Sequence, residues 1–192
     1  EETQVLNREH HIEGFVAISD SGRSGARKVL LTHPSGATCE IYTKGASVAS
    51  WTLPNGGEVL FTPGLSYNFP HWDGFDLFAK KKGSDETDDI FTMNFDILDT
   101  GIRELWNPED NTYTANPYVT IYTTDDDDSR KKWNDNAFQV TLTFTLEFDA
   151  LNISHSVENK NIITNENNDI LENVETTTTT TPENNNLDFE YA

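Results

Sequence analysis

From Phe138 to Phe148 the chain reads FQVTLTFTLEF, with an apolar residue at every second position. Strict alternation with a period of two is typical of a β-strand that buries one face and exposes the other to water. A tight turn at Asp149-Ala150 follows, and apolar residues with one histidine, His155, then recur at every second position over 151–157. The pattern predicts a long antiparallel hairpin centred on this turn.

Shorter strands are predicted upstream of this hairpin. Each is rich in β-branched or aromatic residues, and turn-forming Gly, Pro and Asn separate several of them. They are Val29–Thr32, Thr38–Tyr42, Ala46–Leu53, Ile90–Leu98 and Tyr118–Thr124. No segment sustains the 3.6-residue period of a helix, so we expect an all-β chain without helices, folded as an antiparallel β-sandwich. Polar loops are expected at Lys80–Asp89, Trp106–Asn116 and Asp125–Trp133.

Charge and composition suggest how the chain is organised. Its 192 residues include 13 basic and 33 acidic side chains, for a net charge of −20, and this length suits one domain. We expect a polar N-terminal segment over 1–28, the β-sandwich domain over 29–160 and a low-complexity acidic tail over 161–192. The tail has seven acidic residues and no basic ones. Such a composition predicts disorder, because it cannot bury enough apolar surface to offset chain entropy.

The acidic balance also narrows the classes of partner. Nucleic acids and anionic membrane surfaces require positive patches, so we expect neither as a partner. No apolar run is long enough to span a bilayer. The single cysteine, Cys39, excludes an internal disulfide and a cysteine-based zinc site. It favours a reducing, cytoplasmic location, but a secreted protein can also lack disulfides, so the location stays open. We expect the chain to be a monomer.

Few motifs in the sequence carry chemistry. Phosphate-binding glycine loops, the GxSxG nucleophile elbow and histidine pairs with zinc spacing are absent, and we expect neither metal nor cofactor. The acidic runs Asp85–Asp89 and Asp125–Asp128 lack the glycine and distal glutamate of a calcium loop, so we expect solvated loops. His155 has two interpretations, a core histidine or a general acid or base. The sequon Asn152-Ile153-Ser154 lies within a predicted strand, and we expect it to be unmodified.

One loop combines residue types that bind sugars. The chain reads His71-Trp72-Asp73-Gly74-Phe75 and continues to the basic triplet Lys80, Lys81 and Lys82. Aromatic rings stack on the C–H faces of sugars, while carboxylate, imidazole and ammonium groups bind hydroxyls or phosphate. The alternative is an exposed loop without a ligand.

The order of several motifs resembles a known family. The motifs are Leu30–Ala37, Glu40–Tyr42, Lys44–Trp51 and Gly57–Phe61, followed by Trp133, Phe138–Phe148, Leu151–Val157 and Asn159. This order resembles the N-terminal half of the aldose 1-epimerase (mutarotase) superfamily, in its glucose-6-phosphate 1-epimerase-like branch. The resemblance covers about residues 29–61 and 118–160.

The resemblance implies a galactose mutarotase-like β-sandwich with a carbohydrate site on its concave face. The family interconverts the anomers of a hexose or hexose 6-phosphate without a cofactor: a carboxylate takes the proton of the anomeric hydroxyl while a histidine protonates the ring oxygen. The resemblance also implies that His71 is the catalytic residue. Trp72, Asp73, Lys80, Lys81 and Lys82 would then bind the substrate, with the basic side chains holding the phosphate.

The chain also departs from the family pattern. The RGG-x-P segment expected after Leu60-Phe61 is missing, and the HGFAR segment is echoed at His71–Phe75 with two inserted residues and no arginine. The second histidine segment and the catalytic glutamate expected after Asn159 are replaced by the acidic tail. We therefore expect an incomplete domain with impaired or no epimerase activity. The alternative is a non-catalytic β-sandwich that binds carbohydrate or protein.

Overall fold

Two four-stranded antiparallel sheets share one apolar core in a computed structural model of the chain. The residues that the structure describes are 2–22, 25–60, 79–80, 87–88, 93–107, 111–132, 137–160, 163–164 and 170–171. The predicted fold class is confirmed, because antiparallel strands in two sheets make up most of these residues.

The first sheet is a meander in which each strand pairs with the next along the chain. Its strands are β1 (Val16–Ser19), β2 (Lys28–Thr32), β3 (Thr38–Tyr42) and β4 (Val48–Thr52). The β2–β3 turn closes with a hydrogen bond of 2.9 Å from the Gly36 amide to the His33 carbonyl. Gly36 has φ +95°, a conformation that glycine adopts without the steric cost of a Cβ atom.

Two elements of the segment 1–28, which the sequence analysis set apart from the sandwich, contribute to it. Strand β1 buries Val16 and Ile18, and helix α1 (Glu2–His10) packs Leu6 against the core. Asn7 joins them, because its side chain accepts a hydrogen bond from the Ile18 amide (3.0 Å) and donates one to the Ile18 carbonyl (2.7 Å). The expectation that the chain has no helices is wrong here. Helix α1 has nine residues and none of them is fully buried, so its sequence shows no sustained 3.6-residue pattern of apolar positions.

The second sheet contains the hairpin predicted from the alternating stretch. Its order is β10-β9-β8-β7, and its strands are β7 (Asp96–Asn107), β8 (Thr112–Thr124), β9 (Phe138–Leu146) and β10 (Leu151–Asn159). Strands β9 and β10 pair from Leu146↔Leu151 to Phe138↔Asn159, which confirms the hairpin. The apolar residues of β9 are buried, as its period-two pattern predicts.

The hairpin of β7 and β8 extends beyond the rest of its sheet. Strand β8 pairs with β9 only from Tyr118 to Thr124, whereas it pairs with β7 from Thr112 to Tyr122. The residues 103–107 and 112–116 therefore form a two-stranded projection, called the arm below. The prediction of a loop at Trp106–Asn116 is wrong, because strand residues occupy most of this segment. Apart from Asn116, which is buried, the described side chains of the arm are exposed or half-buried, so the apolar–polar alternation that marks a half-buried strand is lost there.

Smaller elements occupy the other predicted loops and part of the predicted tail. Helix α2 lies within the predicted loop at Asp125–Trp133, and a pair of two-residue strands lies in and beside that at Lys80–Asp89. A second such pair lies in the tail 161–192. These elements are β5 (Ala79–Lys80), β6 (Thr87–Asp88), α2 (Asp127–Lys132), β11 (Ile163–Thr164) and β12 (Ile170–Leu171). The remainder of the tail lies outside the described residues, so its predicted disorder stays a prediction.

Main-chain hydrogen bonds join the two sheets at one end of the core. The Gly45 amide, in the β3–β4 turn, donates to the Met93 carbonyl, and the Phe95 amide donates to the Thr43 carbonyl, each over 2.9 Å. This pairing fixes the chain just before β7 begins, beside fully buried Ala46.

A buried histidine joins the sheets at a second point. His33, in the β2–β3 turn, is 5% exposed, and its Nε2 lies 3.2 Å from Oδ1 of buried Asn116 in β8. The Ser35 amide donates to His33 Nδ1 over 3.1 Å, so Nδ1 is an acceptor. In this tautomer the proton is on Nε2, which donates to Asn116.

Replacement of Asn116 tests this connection. We expect Asn116→Ala to lower the free energy of unfolding by about 1–3 kcal/mol, because it leaves the buried Nε2–H of His33 without an acceptor. Urea denaturation of the variant and the wild type measures the loss. The control is Asn94→Ala, at an exposed asparagine that makes no hydrogen bond among the described residues. It should change the free energy of unfolding by no more than about 0.5 kcal/mol. Equal stability of Asn116→Ala and wild type would contradict the assignment.

Candidate functional site

The site predicted from the sequence lies almost entirely outside the described residues. His71, Trp72, Asp73, Lys81 and Lys82 all fall there. Lys80 is the second residue of β5, where its backbone pairs with Thr87. Their roles in a carbohydrate site therefore stay predictions.

Among the described residues, an open groove lies where β7 begins and β8 ends. Its volume is about 460 Å³, within the range of small-molecule sites. It is lined by Met93, Asn94, Asp96, Tyr122, Thr123, Thr124, Asp125 and Asp126. Most of these side chains are polar, and the main-chain connection at Met93 sets one boundary of the groove.

Asp96 and Tyr122 are the groove residues best placed for a ligand. They are direct partners in the β7–β8 ladder, so their side chains lie on the same face. Among the described residues, neither side chain has a hydrogen bond or an ion pair, and nor does that of Asn94. The groove thus combines an aromatic ring, a carboxylate and a carboxamide that no described residue occupies.

Asp125 is bound by the protein and contributes to its structure. Its side chain is 6% exposed, and it accepts hydrogen bonds from the Phe138 amide (2.9 Å) and from Arg130 Nε (2.6 Å). Burial opposes ionisation, but these hydrogen bonds and the Arg130 charge outweigh it and hold the pKa of Asp125 below its usual value. The carboxylate therefore fastens α2 to the start of β9.

Asp126 caps helix α2. Its Oδ1 accepts a hydrogen bond from the Ser129 amide (2.7 Å), and its own amide donates to Ser129 Oγ (2.8 Å). This reciprocal pair is a capping box, which satisfies amides that the first helical turn leaves without partners. The acidic run that the sequence analysis expected to be a solvated loop thus begins with two structural carboxylates.

Polar side chains continue from the groove across the outer face of the second sheet. Tyr122 lies beside Thr141, which lies beside Ser156, so one row of polar residues crosses the sheet from Asp96 to β10. In the next row Thr120 and Thr143 share a hydrogen bond of 2.9 Å between their hydroxyls. The face is rich in hydroxyl groups.

Tyr118 lies flat at the far end of this face. A Cβ atom on Gly101 would come within 2.5 Å of the Tyr118 ring, so the glycine gives the ring room to lie over the backbone. The hydroxyl donates to Asp99 Oδ2 over 2.8 Å, and Arg103 Cζ lies 5.1 Å from the ring centre. The hydrogen bond to Asp99 and burial raise the pKa of Tyr118 above its usual value.

His155 does not belong to the groove. It is half-buried and lies opposite Leu142, a core residue of β9. Sequence analysis missed Asp96 and Tyr122, although both occupy the polar positions of predicted strands. Their polar positions were the only signal in the sequence. The two residues are 26 apart in sequence, and only the register of β7 against β8 makes them neighbours.

Two further classes of site are absent from the described residues. No helix there is long and apolar enough to cross a membrane. In the same part of the chain, no three His, Cys, Asp or Glu side chains are grouped as metal ligands.

Comparison with known proteins gives no further guide. No family model, no curated protein and no solved structure matches the chain. The groove is therefore interpreted from its own geometry and charge.

Asp125 provides a test of the framework around the groove. We expect Asp125→Asn to lower the free energy of unfolding by about 2 kcal/mol at neutral pH, because the hydrogen bonds to a charged acceptor are weakened. The folded pKa lies below the unfolded value of 3.8, so the wild-type advantage is complete above that pH and is lost as the pH falls through the folded pKa.

Urea denaturation at several pH values measures this difference. The matched control is Asp149→Asn, at an exposed aspartate without a hydrogen bond among the described residues, and it should change stability little at any pH. A wild-type advantage over Asp125→Asn that grows as the pH falls would contradict the assignment.

Proposed function

We propose that the groove binds a neutral carbohydrate and that the chain is a non-catalytic carbohydrate-binding β-sandwich. The observation that carries this proposal is the pairing of Asp96 and Tyr122 on one face of the groove, with Asn94 beside them. All three side chains are without hydrogen bonds to the described protein, so their polar groups can engage a ligand.

The chemistry of these three residues suits a sugar. A carboxylate accepts hydrogen bonds from hydroxyls, and a carboxamide both donates and accepts. The Tyr122 ring offers an apolar surface to the C–H groups of a pyranose and a hydroxyl to its polar edge. The groove volume of about 460 Å³ accommodates a sugar of one or two rings.

The charges near the groove favour a neutral sugar over a phosphorylated one. Three aspartates line the groove, and their negative potential opposes a phosphate group. The nearby cation Arg130 is paired with Asp125. The phosphate of a hexose 6-phosphate therefore has no cationic partner among the described lining residues.

The same lining favours binding over acid–base catalysis. Anomer exchange requires a proton acceptor at the anomeric hydroxyl and a proton donor at the ring oxygen. Asp96 could accept a proton, but the described lining contains no histidine or lysine to act as its partner. Asp125 and Asp126 are held by hydrogen bonds within the protein.

Sugar titration tests the binding proposal. We expect hexoses and their disaccharides to shift the NMR signals of Asp96, Tyr122 and their neighbours at millimolar concentration. Asp96→Asn should weaken binding about tenfold, equivalent to about 1.4 kcal/mol, because a charged acceptor is lost. Glucose 6-phosphate should bind more weakly than glucose.

Glu104→Gln is the matched control, since it removes an exposed acid from the same strand outside the groove. It should leave the titration unchanged. Absence of any shift at the groove residues with every sugar tested would contradict the proposal, and so would equal weakening by the two substitutions.

A second candidate is the hexose-6-phosphate 1-epimerase activity that the family resemblance implies. The specific observation in its favour is the fold class, since two antiparallel sheets with one core agree with the β-sandwich of that family. In this case His71 would protonate the ring oxygen and Lys80, Lys81 and Lys82 would hold the phosphate.

A coupled mutarotation assay on glucose 6-phosphate distinguishes the candidates. The binding proposal predicts a rate equal to the spontaneous rate for both the wild type and His71→Ala. Acceleration by the wild type that His71→Ala removes would instead establish the epimerase, because a general acid typically contributes ~10²–10⁴-fold. His155→Ala is the control, as it removes a histidine that the resemblance does not make catalytic.

A further inference from the structure

We propose that the ligand is a neutral linear oligosaccharide, whose first units occupy the groove and whose next units cross the outer face of the second sheet towards β10. This inference rests on the proposed sugar site and extends it. The contact beyond the groove would be made by a set of side chains called the hydroxyl face below. Its members are Thr120, Thr141, Thr143, Ser154 and Ser156.

The hydroxyl face begins beside the groove. Tyr122 lines the groove and pairs with Thr141 of β9, which in turn pairs with Ser156 of β10. Paired residues in neighbouring strands place their side chains on the same face. Because neighbouring strands lie about 4.8 Å apart, this row extends about 10 Å beyond Tyr122. The row is longer than a single sugar ring, so a monosaccharide in the groove would leave most of it uncovered.

The hydroxyls keep hydrogen-bonding capacity for a ligand. All five side chains of the hydroxyl face are exposed or half-buried. Within the described part of the chain, the side chains of Ser154 and Ser156 make no hydrogen bond. Thr141 Oγ1 accepts one from Gln139 Nε2 over 3.3 Å, which leaves the Thr141 proton to be donated. The other two hydroxyls share a single hydrogen bond, so one of their protons is available as well.

Groups that the protein already occupies set the direction of the ligand. On the β7 side of the sheet, Asp99 accepts a hydrogen bond from the Tyr118 hydroxyl over 2.8 Å. The Tyr118 ring lies over Gly101, and Arg103 lies against the ring. The polar groups that no described residue occupies therefore lead from the groove towards β10, and not along β7.

The hydroxyl face is uncharged although the chain carries −20. Over their paired region, β8, β9 and β10 each place four residues on this side of the sheet, and those of β8 and β9 include no charge. The one charged residue on β10 is Glu158, which is paired with Lys160. The overall charged fraction of 24% would place about three charges on these positions, and charged residues favour positions that face water.

Charge and chemistry together select the class of ligand. A polyanion, such as a nucleic acid or a sulfated glycan, is repelled by the acidic chain around the face. A basic peptide finds no carboxylate among the five side chains, and an apolar partner finds no apolar one. A neutral chain of hydroxyl groups fits, because hydroxyls both donate and accept hydrogen bonds with one another.

Titration with oligosaccharides of increasing length tests the inference. The probes are the cello-, malto- and manno-oligosaccharides of one to six units, followed by NMR on the full chain. In the series that binds, we expect the tetrasaccharide to bind about tenfold more tightly than the monosaccharide, because further hydrogen bonds form beyond the groove. The signals of Thr143, Ser154 and Ser156 should shift with the tetrasaccharide and not with the monosaccharide.

The outcomes separate this inference from the sugar proposal itself. Equal affinity at every length, with shifts confined to groove residues such as Asp96 and Tyr122, would overturn the extension and leave the groove as a sugar site. No shift with any sugar would overturn both. Tighter binding of a sulfated tetrasaccharide than of the neutral ones would overturn the assignment of a neutral ligand.

The double variant Thr141→Val with Ser156→Ala tests the location of the contact. It removes two hydroxyls from the row that leaves the groove, so the tenfold preference for the tetrasaccharide should fall to about twofold. The control Thr114→Val removes a strand hydroxyl from the arm, outside the hydroxyl face, and should keep the wild-type preference. Circular dichroism establishes that both variants are folded. An unchanged preference in the double variant would contradict the inference.

Discussion

The structure depends on the main-chain pairing between the β3–β4 turn and the chain that leads into β7. Two hydrogen bonds, Gly45 to Met93 and Phe95 to Thr43, connect the sheets there. They fix the position at which β7 begins. The register of the β7–β8 ladder then places Asp96 opposite Tyr122. The groove is thus a consequence of how the second sheet is attached to the first.

The carboxylates of this acidic chain serve different physical purposes. Glu58 and Asp125 accept hydrogen bonds from main-chain amides. Burial raises the pKa of each, but these bonds, together with the Ser50 hydroxyl at Glu58 and Arg130 at Asp125, outweigh burial and hold each pKa below its usual value. Asp126 caps a helix. Asp96 differs, because no described group binds it. Asp96 is therefore a groove carboxylate that no described residue occupies and that a ligand could bind.

Local patterns predict the parts of this fold that bury one face of a strand. The β9–β10 hairpin follows from the alternation at Phe138–Phe148, because one face of β9 packs into the core along its whole length. The arm could not be predicted in this way, since all of its described side chains except that of Asn116 are at least partly exposed to water. Strand β1 was missed because four residues are too few for a periodic signal, and the helix whose Asn7 bonds its backbone has no signal of its own.

The candidate site was less predictable than the fold, for a reason of geometry. Asp96 and Tyr122 occupy the polar positions of their strands, as the alternation indicates, but many polar residues do so. Only the ladder register selects these two as neighbours. The bulge between Ile97 and Asp99 shifts that register by one residue, and a shift of this kind is not visible in a hydrophobic pattern.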